Sequence, residues 1–296
     1  MSDRLSKRIE RRALYGVALV CAMLLPRLST AWVLRLGRGI GRLLYQALPK
    51  RRRIAEENLR AAFPDWDDQR VRRTVREHFA HLGMNLVEFF QLPAWDRRLA
   101  PRIRLEDASC VRALVEKRTP FLVFIPHLGN WEILAPLWPT LHPAPMVLVQ
   151  PMPDPRLDAL VRRCRGVTGL EMVDRRGGLR RVVAALRQGR AIGLLADQDA
   201  GPGGVMIPFF GRLASCEPSP AALARRLEAP LLLNWTVREA SGEHRVFFEL
   251  VPVDPTDDRE TLKRIYRRLE AIIGEHPEQW LWIHRRWKSA IVRSAS

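Results

Sequence analysis

His127 and Glu132 close the string Phe121-Leu-Val-Phe-Ile-Pro-His127-Leu-Gly-Asn-Trp-Glu132. Their types and spacing fit proton transfer. A neutral imidazole takes a proton from a hydroxyl near pH 7, and a carboxylate on its far side fixes the tautomer that leaves the other nitrogen free. On one continuous helix, residues five apart point about 140° away from each other. The pair therefore converges only if His127 precedes a helix and Glu132 lies in its first turn. Pro126 and Gly129 supply that break, and Asn130 is the candidate N-cap. The helix N-terminus and nearby backbone N–H groups then steady a developing oxyanion. Taken alone, His-x4-Glu is a short pattern, and a structural histidine with a glutamate on a solvated helix face is its ordinary explanation. The strand before it and the glycine within it favour chemistry.

A second candidate is Asp197-Gln198-Asp199, which follows a buried apolar run and precedes Gly201-Pro202-Gly203-Gly204. Carboxylates at a strand end beside a glycine loop orient polar substrate groups. Metal binding is the weaker reading, since the two aspartates have no nearby histidine or third carboxylate. Gly37-x-Gly39-x-Gly41 is only superficially a nucleotide loop, because no strand precedes it.

The elements that must position these residues read as alternating strand and helix. Apolar runs at 121–125, 146–150, 191–196, 231–237 and 245–251 predict strands. Amphipathic stretches at 130–138, 155–168, 177–188, 220–228 and 259–275 predict helices between them. The expectation is an α/β fold, a mixed sheet flanked by helices. Upstream, Ile54, Leu59, Ala62 and Phe63 share a helical spacing that Pro64 ends. Asp67 caps the next helix, which runs to about Leu92 with Val71, Val75, Phe79, Leu82, Leu86 and Phe89 or Phe90 on one face. No repeat or low-complexity linker divides the chain. Residues 51–296 read as one catalytic domain behind an N-terminal segment, 1–50.

That segment holds 13 uncharged residues, Ala13 to Leu25, where a spanning helix needs about 20. Extension to Leu34 brings in Pro26 and Arg27. Arg4, Lys7, Arg8, Arg11 and Arg12 precede the run, and Arg35, Arg38, Arg42 and Lys50 to Arg53 follow it. Basic residues at both ends favour a helical membrane-anchoring segment that enters and returns over a single span. A secretory signal is disfavoured, since no small-x-small cleavage site follows cleanly. A buried core helix is the plain alternative.

The chain has 296 residues, 47% of them hydrophobic, which excludes a disordered protein. Its four cysteines are scattered without paired spacing, which points to a reducing compartment and not to a disulfide scaffold. The formal charge is +17, and five lysines leave 44 arginines among the 49 basic residues. Part of that excess fits codon bias; the rest asks for an anionic partner, whether nucleic acid, a phospholipid surface or a phosphorylated substrate. The arginines are dispersed and no nucleic-acid-reading motif stands out, so nucleic acid is the least favoured of the three.

The string HLGNWE resembles the His-x4-Asp/Glu motif of the late acyltransferases of lipid A biosynthesis, the lauroyl/myristoyl transferase family. The resemblance continues through Pro155 and Leu157 to Arg165 and Gly169, then Gly177-Gly178. It takes in ADQDAGPGGVMIPFFG at 196–211, Ser219-Pro220, and HPEQWLWIHRRWK at 276–288. It implies a glycerolipid-acyltransferase-like fold and transfer of a fatty acyl chain from an acyl carrier protein thioester. The acceptor it implies is a hydroxyl on a 3-hydroxyacyl chain of a Kdo-bearing lipid A precursor. His127 is then the general base, and no covalent enzyme intermediate is needed because the thioester is already activated.

The same resemblance marks Arg165 as essential, its guanidinium suited to a phosphate or an oxyanion. Asn130, Asp197 and Gln198 join it as substrate-binding residues. Phe209 and Phe210 either wall a slot for the acyl chain or are ordinary core. Trp280, Trp282 and Trp287 suit a membrane-interface belt, and a packed C-terminal helix nearly as well. The implied partners are an acidic acyl carrier protein, a phosphorylated glycolipid acceptor and the anionic cytoplasmic face of the inner (plasma) membrane. No metal and no cofactor is implied; the carrier-bound acyl group is the co-substrate. A transferase acting on another bacterial lipid, such as a phosphatidylinositol mannoside or an aminolipid, is the closest rival.

Overall fold

All five apolar runs form strands, and four further segments add to them. This is a computed structural model that describes residues 2–166 and 168–290, with the backbone alone for 2–11 and 179. The strands are β1 (Ile103–Leu105), β2 (Phe121–Ile125), β3 (Met146–Val149), β4 (Glu171–Asp174), β5 (Ala191–Leu195), β6 (Val205–Phe209), β7 (Arg212–Cys216), β8 (Leu231–Arg238) and β9 (His244–Val251). Seven of them form one sheet in the order β1-β9-β8-β2-β5-β3-β4. Its pairs are parallel except β8 with β9. The expected mixed sheet is present. β6 and β7 form a separate antiparallel hairpin.

β2 and β5 at the centre of the sheet are uninterrupted apolar runs because helices cover both sheet faces. Every residue of β2 and of β8 is buried. Leu122 and Phe124 point into one core with Ile265, Tyr266 and Leu269. Phe121, Val123 and Ile125 point into the other with Leu134, Leu137 and Trp138. The strands missed by apolar patterning are the two edges, β1 and β4, which are short and partly exposed, and the hairpin.

The helices are α1 (Ser2–Leu24), α2 (Thr30–Ala47), α3 (Pro49–Ala62), α4 (Asp68–Phe89), α5 (Trp95–Arg98), α6 (Ser109–Glu116), α7 (Leu134–Leu141), α8 (Pro155–Arg165), α9 (Leu179–Arg187), α10 (Ser219–Arg226) and α11 (Asp258–Glu275). Asp67 caps α4 as expected, accepting from the Arg70 N–H at 2.6 Å. α2 packs along α4 at backbone distance, because a Cβ on Gly37 would stand 2.5 Å from Met84 Cα and one on Gly83 would stand 2.1 Å from the Gly37 carbonyl oxygen. Close helix packing is thus the task of Gly37 and Gly41.

Two expectations need correction here. The inward face of α4 follows Val71, Val75 and Phe79, but beyond them Leu86 is 43% exposed while His78, His81, Asn85 and Glu88 are buried. The polar stripe turns inward to polar partners: His81 and Asn85 meet the Gly129 carbonyl and Glu88 the Asn130 amide in the loop after β2, while His78 meets the Glu278 carbonyl. Trp280, Trp282 and Trp287 are core residues in a segment that is not an α-helix, and they form no interface belt.

No helix among the described residues is long and apolar enough to cross a membrane. Leu14, Val17, Val20, Met23 and Leu24 of α1, and Trp32, Leu36 and Leu43 of α2, are exposed. The basic flank at Arg4, Lys7, Arg8 and Arg11 falls outside the described side chains.

Candidate active site

β2 ends at Ile125, and the chain turns sharply through Pro126 to Asn130. Gly129 has φ +63°, and a Cβ there would lie 2.0 Å from the Thr236 carbonyl oxygen of β8, so only glycine fits. The C-terminal segment clamps the turn: the Gly129 N–H donates to Gln279 O at 3.0 Å, and the Leu281 N–H donates to His127 O at 3.1 Å. A 3-10 turn (Trp131–Ile133) then leads into α7.

His127 projects from this turn. Its Nδ1 stands 2.5 Å from Asp197 Oδ1, and its backbone N–H donates to Asp197 Oδ2 at 2.8 Å. The Trp280 indole N–H donates to the same Oδ2 at 2.8 Å. Burial pushes the Asp197 carboxyl up, but the charge of His127 and hydrogen bonds from His127 and Trp280 outweigh burial and hold it below the usual carboxylate range. An ionised Asp197 makes Nδ1 the protonated nitrogen, which leaves the Nε2 lone pair for chemistry. Gln198 Nε2 lies 3.5 Å from that Nε2.

The brace expected at Glu132 is therefore Asp197. Arg165 takes both Glu132 oxygens, Nε to Oε2 at 2.7 Å and NH2 to Oε1 at 2.6 Å. A planar guanidinium matches a carboxylate edge in this two-bond fashion. Burial pulls the Arg165 pKa down, but the Glu132 charge and hydrogen bond outweigh that and raise it. Of the neighbouring arginines, Arg162 pairs with Asp158 and Asp174, and Arg163 is exposed.

Asn130 also departs from expectation. It occupies the N-cap position without a side-chain cap bond, and it is fully buried, donating from Nδ2 to Glu88 Oε2 at 2.7 Å. Facing inward, it is not among the residues that line the cavity beside His127.

Beside His127 opens a cavity of about 500 Å³, within the range of small-molecule sites. His127, Glu132, Arg165 and Gln198 all line it. Its apolar walls come from β2, β3, β5 and α7, with Val123, Ile125, Gly193, Leu134, Met146 and Trp138 among them. The Trp138 indole N–H is fixed on Asn234 Oδ1 at 3.1 Å. Phe209 and Phe210 do not line this cavity. Phe209 meets Tyr266 and Trp280 edge to face in the core on the other sheet face, and Phe210 packs on Phe63 and Trp282.

Sequence reasoning paired His127 with Glu132, whereas the structure pairs it with Asp197. The missing signal is strand pairing. β2 and β5 are neighbours in register, with Ile125 opposite Leu195, so residues two positions past each strand end, 127 and 197, emerge side by side. Among the described residues, no group of three or more His, Cys, Asp or Glu is placed to hold a metal ion. The geometry suits a general base at the mouth of an apolar slot, beside a cation held by a carboxylate.

The family model of the bacterial lipid A biosynthesis acyltransferases matches residues 4–289. A lipid A biosynthesis palmitoleoyltransferase of Escherichia coli K12 is 29% identical over 267 residues, covering 88% of this chain and 86% of its own. A lipid A biosynthesis lauroyltransferase of the same organism is 26% identical over 263 residues, covering 87% and 85%. A phosphatidylinositol mannoside acyltransferase of Mycolicibacterium smegmatis is 27% identical over 221 residues, covering 72% of each chain.

Proposed function

The chain belongs to the bacterial lipid A biosynthesis acyltransferase family, and on that premise we propose that it transfers a fatty acyl chain from an acyl carrier protein thioester to a hydroxyl of a Kdo-bearing lipid A precursor. The acyl chain lies in the cavity beneath α7 with its thioester at the mouth. His127 Nε2 takes the acceptor proton as the hydroxyl oxygen attacks the thioester carbonyl. Asp197 keeps the imidazole in the required tautomer and stabilises the imidazolium that forms. The tetrahedral oxyanion meets donors from Gln198 and Arg165. On collapse the C–S bond breaks, the ester C–O bond remains, and the imidazolium returns its proton to the departing thiolate. Glu132 sets the direction of the Arg165 fork.

The observation that carries this reading is the pairing of His127 Nδ1 with Asp197 at the rim of an apolar cavity. The charge of +17 and the exposed Arg175, which lines the cavity, support an acidic carrier protein as donor. The exposed apolar residues of α1 and α2 support attachment in the plane of the cytoplasmic face of the inner membrane. Serine at Leu14, Val17 and Leu24 together is expected to release the protein from anionic vesicles in a sedimentation assay; unchanged binding contradicts that attachment.

Mass spectrometry of the host's lipid A, with and without this protein, tests the reaction. The expected result is loss of one secondary acyl chain. The Mycolicibacterium relative favours a second reading, another membrane lipid as acceptor. Unchanged lipid A, with an acyl chain missing from a different lipid, selects it.

A further inference from the structure

α4 carries His81, Asn85 and Glu88 at helical spacing, and all three are buried. Helices bury apolar residues by default, so a buried polar stripe needs a reason. Its partners are the backbone and side chain of the catalytic turn. The carbonyl of Gly129 accepts from His81 Nε2 at 2.9 Å and from Asn85 Nδ2 at 2.8 Å. Glu88 Oε2 accepts from Asn130 Nδ2 at 2.7 Å.

Arg238, at the end of β8, ties the stripe together. It donates to Glu88 Oε2, to Asn85 Oδ1 at 2.7 Å and to His81 Nδ1 at 2.9 Å. An arginine only donates, so His81 must accept at Nδ1 and carry its hydrogen on Nε2, the nitrogen that meets Gly129. Glu88 only accepts, which likewise fixes the Asn130 amide. Arg102 NH2 donates to Glu88 Oε1 at 2.5 Å, and His244 Nε2 lies 3.2 Å from the same oxygen. One fully buried carboxylate thus organises every donor that reaches the turn from α4.

We propose that Glu88 is a positioning residue of the reaction: directly through Asn130, and through Arg238 and His81, it holds the turn from His127 to Glu132 in register with the cavity. It touches no reacting atom. The inference rests on the proposed acyl transfer for its functional half, and on geometry alone for its structural half.

Two measurements on the full chain test it. Asn130→Ala removes one link and leaves the charged cluster whole. Hydrogen exchange of amides 127–133 is expected to rise at least about tenfold, with β5 and β8 unchanged. kcat is expected to fall by about ten- to a hundredfold at nearly constant KM, the scale of a misplaced catalytic group. Unchanged exchange in the turn, or loss of protection throughout the sheet, overturns the proposal.

The second measurement exchanges donor and acceptor. Glu88→Gln with Asn130→Asp restores a bond between the two positions and keeps one carboxylate in the cluster. The double variant is expected to be at least about tenfold more active than Asn130→Asp alone, and no rescue overturns the proposal. If wild type transfers no acyl chain at all, the proposed reaction fails, while the exchange measurement still decides the positioning role.

Discussion

The carboxylate of Asp197 stands 2.5 Å from Nδ1 of His127 and accepts that residue's own backbone N–H at 2.8 Å. One buried group thereby fixes both the ring and the strand end that carries it. Asp197→Asn keeps the shape but loses the charge, and the amide can hold the imidazole in the wrong tautomer. We expect kcat to fall by about two to four orders of magnitude with the fold retained. Steady-state kinetics with circular dichroism checks this; a folded variant within about threefold of wild type contradicts it.

Glu132 and Arg165 act as a unit. Either truncation leaves the other charge partly buried without its two-bond partner, so the pair should be strongly non-additive. A double-mutant cycle of Glu132→Gln and Arg165→Gln on kcat/KM should give a coupling of about 1–3 kcal/mol. Additive effects would show that the two side chains work separately.

Why the sequence yielded His127 and misassigned its partner follows from which links are local. The strand, the proline and the glycine before α7 are all within a few residues of His127, so the turn was legible. Its brace lies 70 residues away, across the β2–β5 pairing, and no spacing in one chain encodes that pairing. Glu132 was near in sequence and found a stronger partner in Arg165. The five strands read from the sequence were legible because each carries a run of apolar residues. β4 was missed because an exposed edge strand carries no such pattern. The inward polar stripe of α4 was illegible for a related reason: its partners, the Gly129 carbonyl and the side chains of Asn130 and Arg238, lie far away in the chain.

Gly193 of β5 lines the cavity, and a Cβ there would stand 3.2 Å from Ile125 Cδ1 and 3.4 Å from Val147 Cγ2. A larger side chain must occupy space offered to the acyl group. Gly193→Val is expected to shift preference towards shorter chains, by about tenfold in kcat/KM for each methylene excluded. Competition between acyl donors of graded length measures it. An unchanged preference would remove the cavity from the acyl path.

Stability should fall in mild acid. Burial pushes the pKa of His78 down to about 4 from an ordinary 6.5, although its bond to the Glu278 carbonyl pulls it up. The unfolded chain therefore binds the proton first. The contribution is complete above about pH 6.5 and is lost as pH falls to about 4, amounting to about 3 kcal/mol. His81 and His244 are lowered as well, burial being the leading cause. Urea unfolding at pH 7.5 and 4.5 should show a smaller drop for His78→Gln than for wild type. Equal drops would contradict the account.

The most direct measurement is transfer of a radiolabelled acyl group from acyl carrier protein to a Kdo-bearing lipid A precursor by purified protein, wild type against His127→Ala. The prediction is product from wild type and a turnover lower by about two to four orders of magnitude in the variant, with an unchanged melting temperature. Equal turnover by a folded His127→Ala protein would contradict general-base catalysis at this residue.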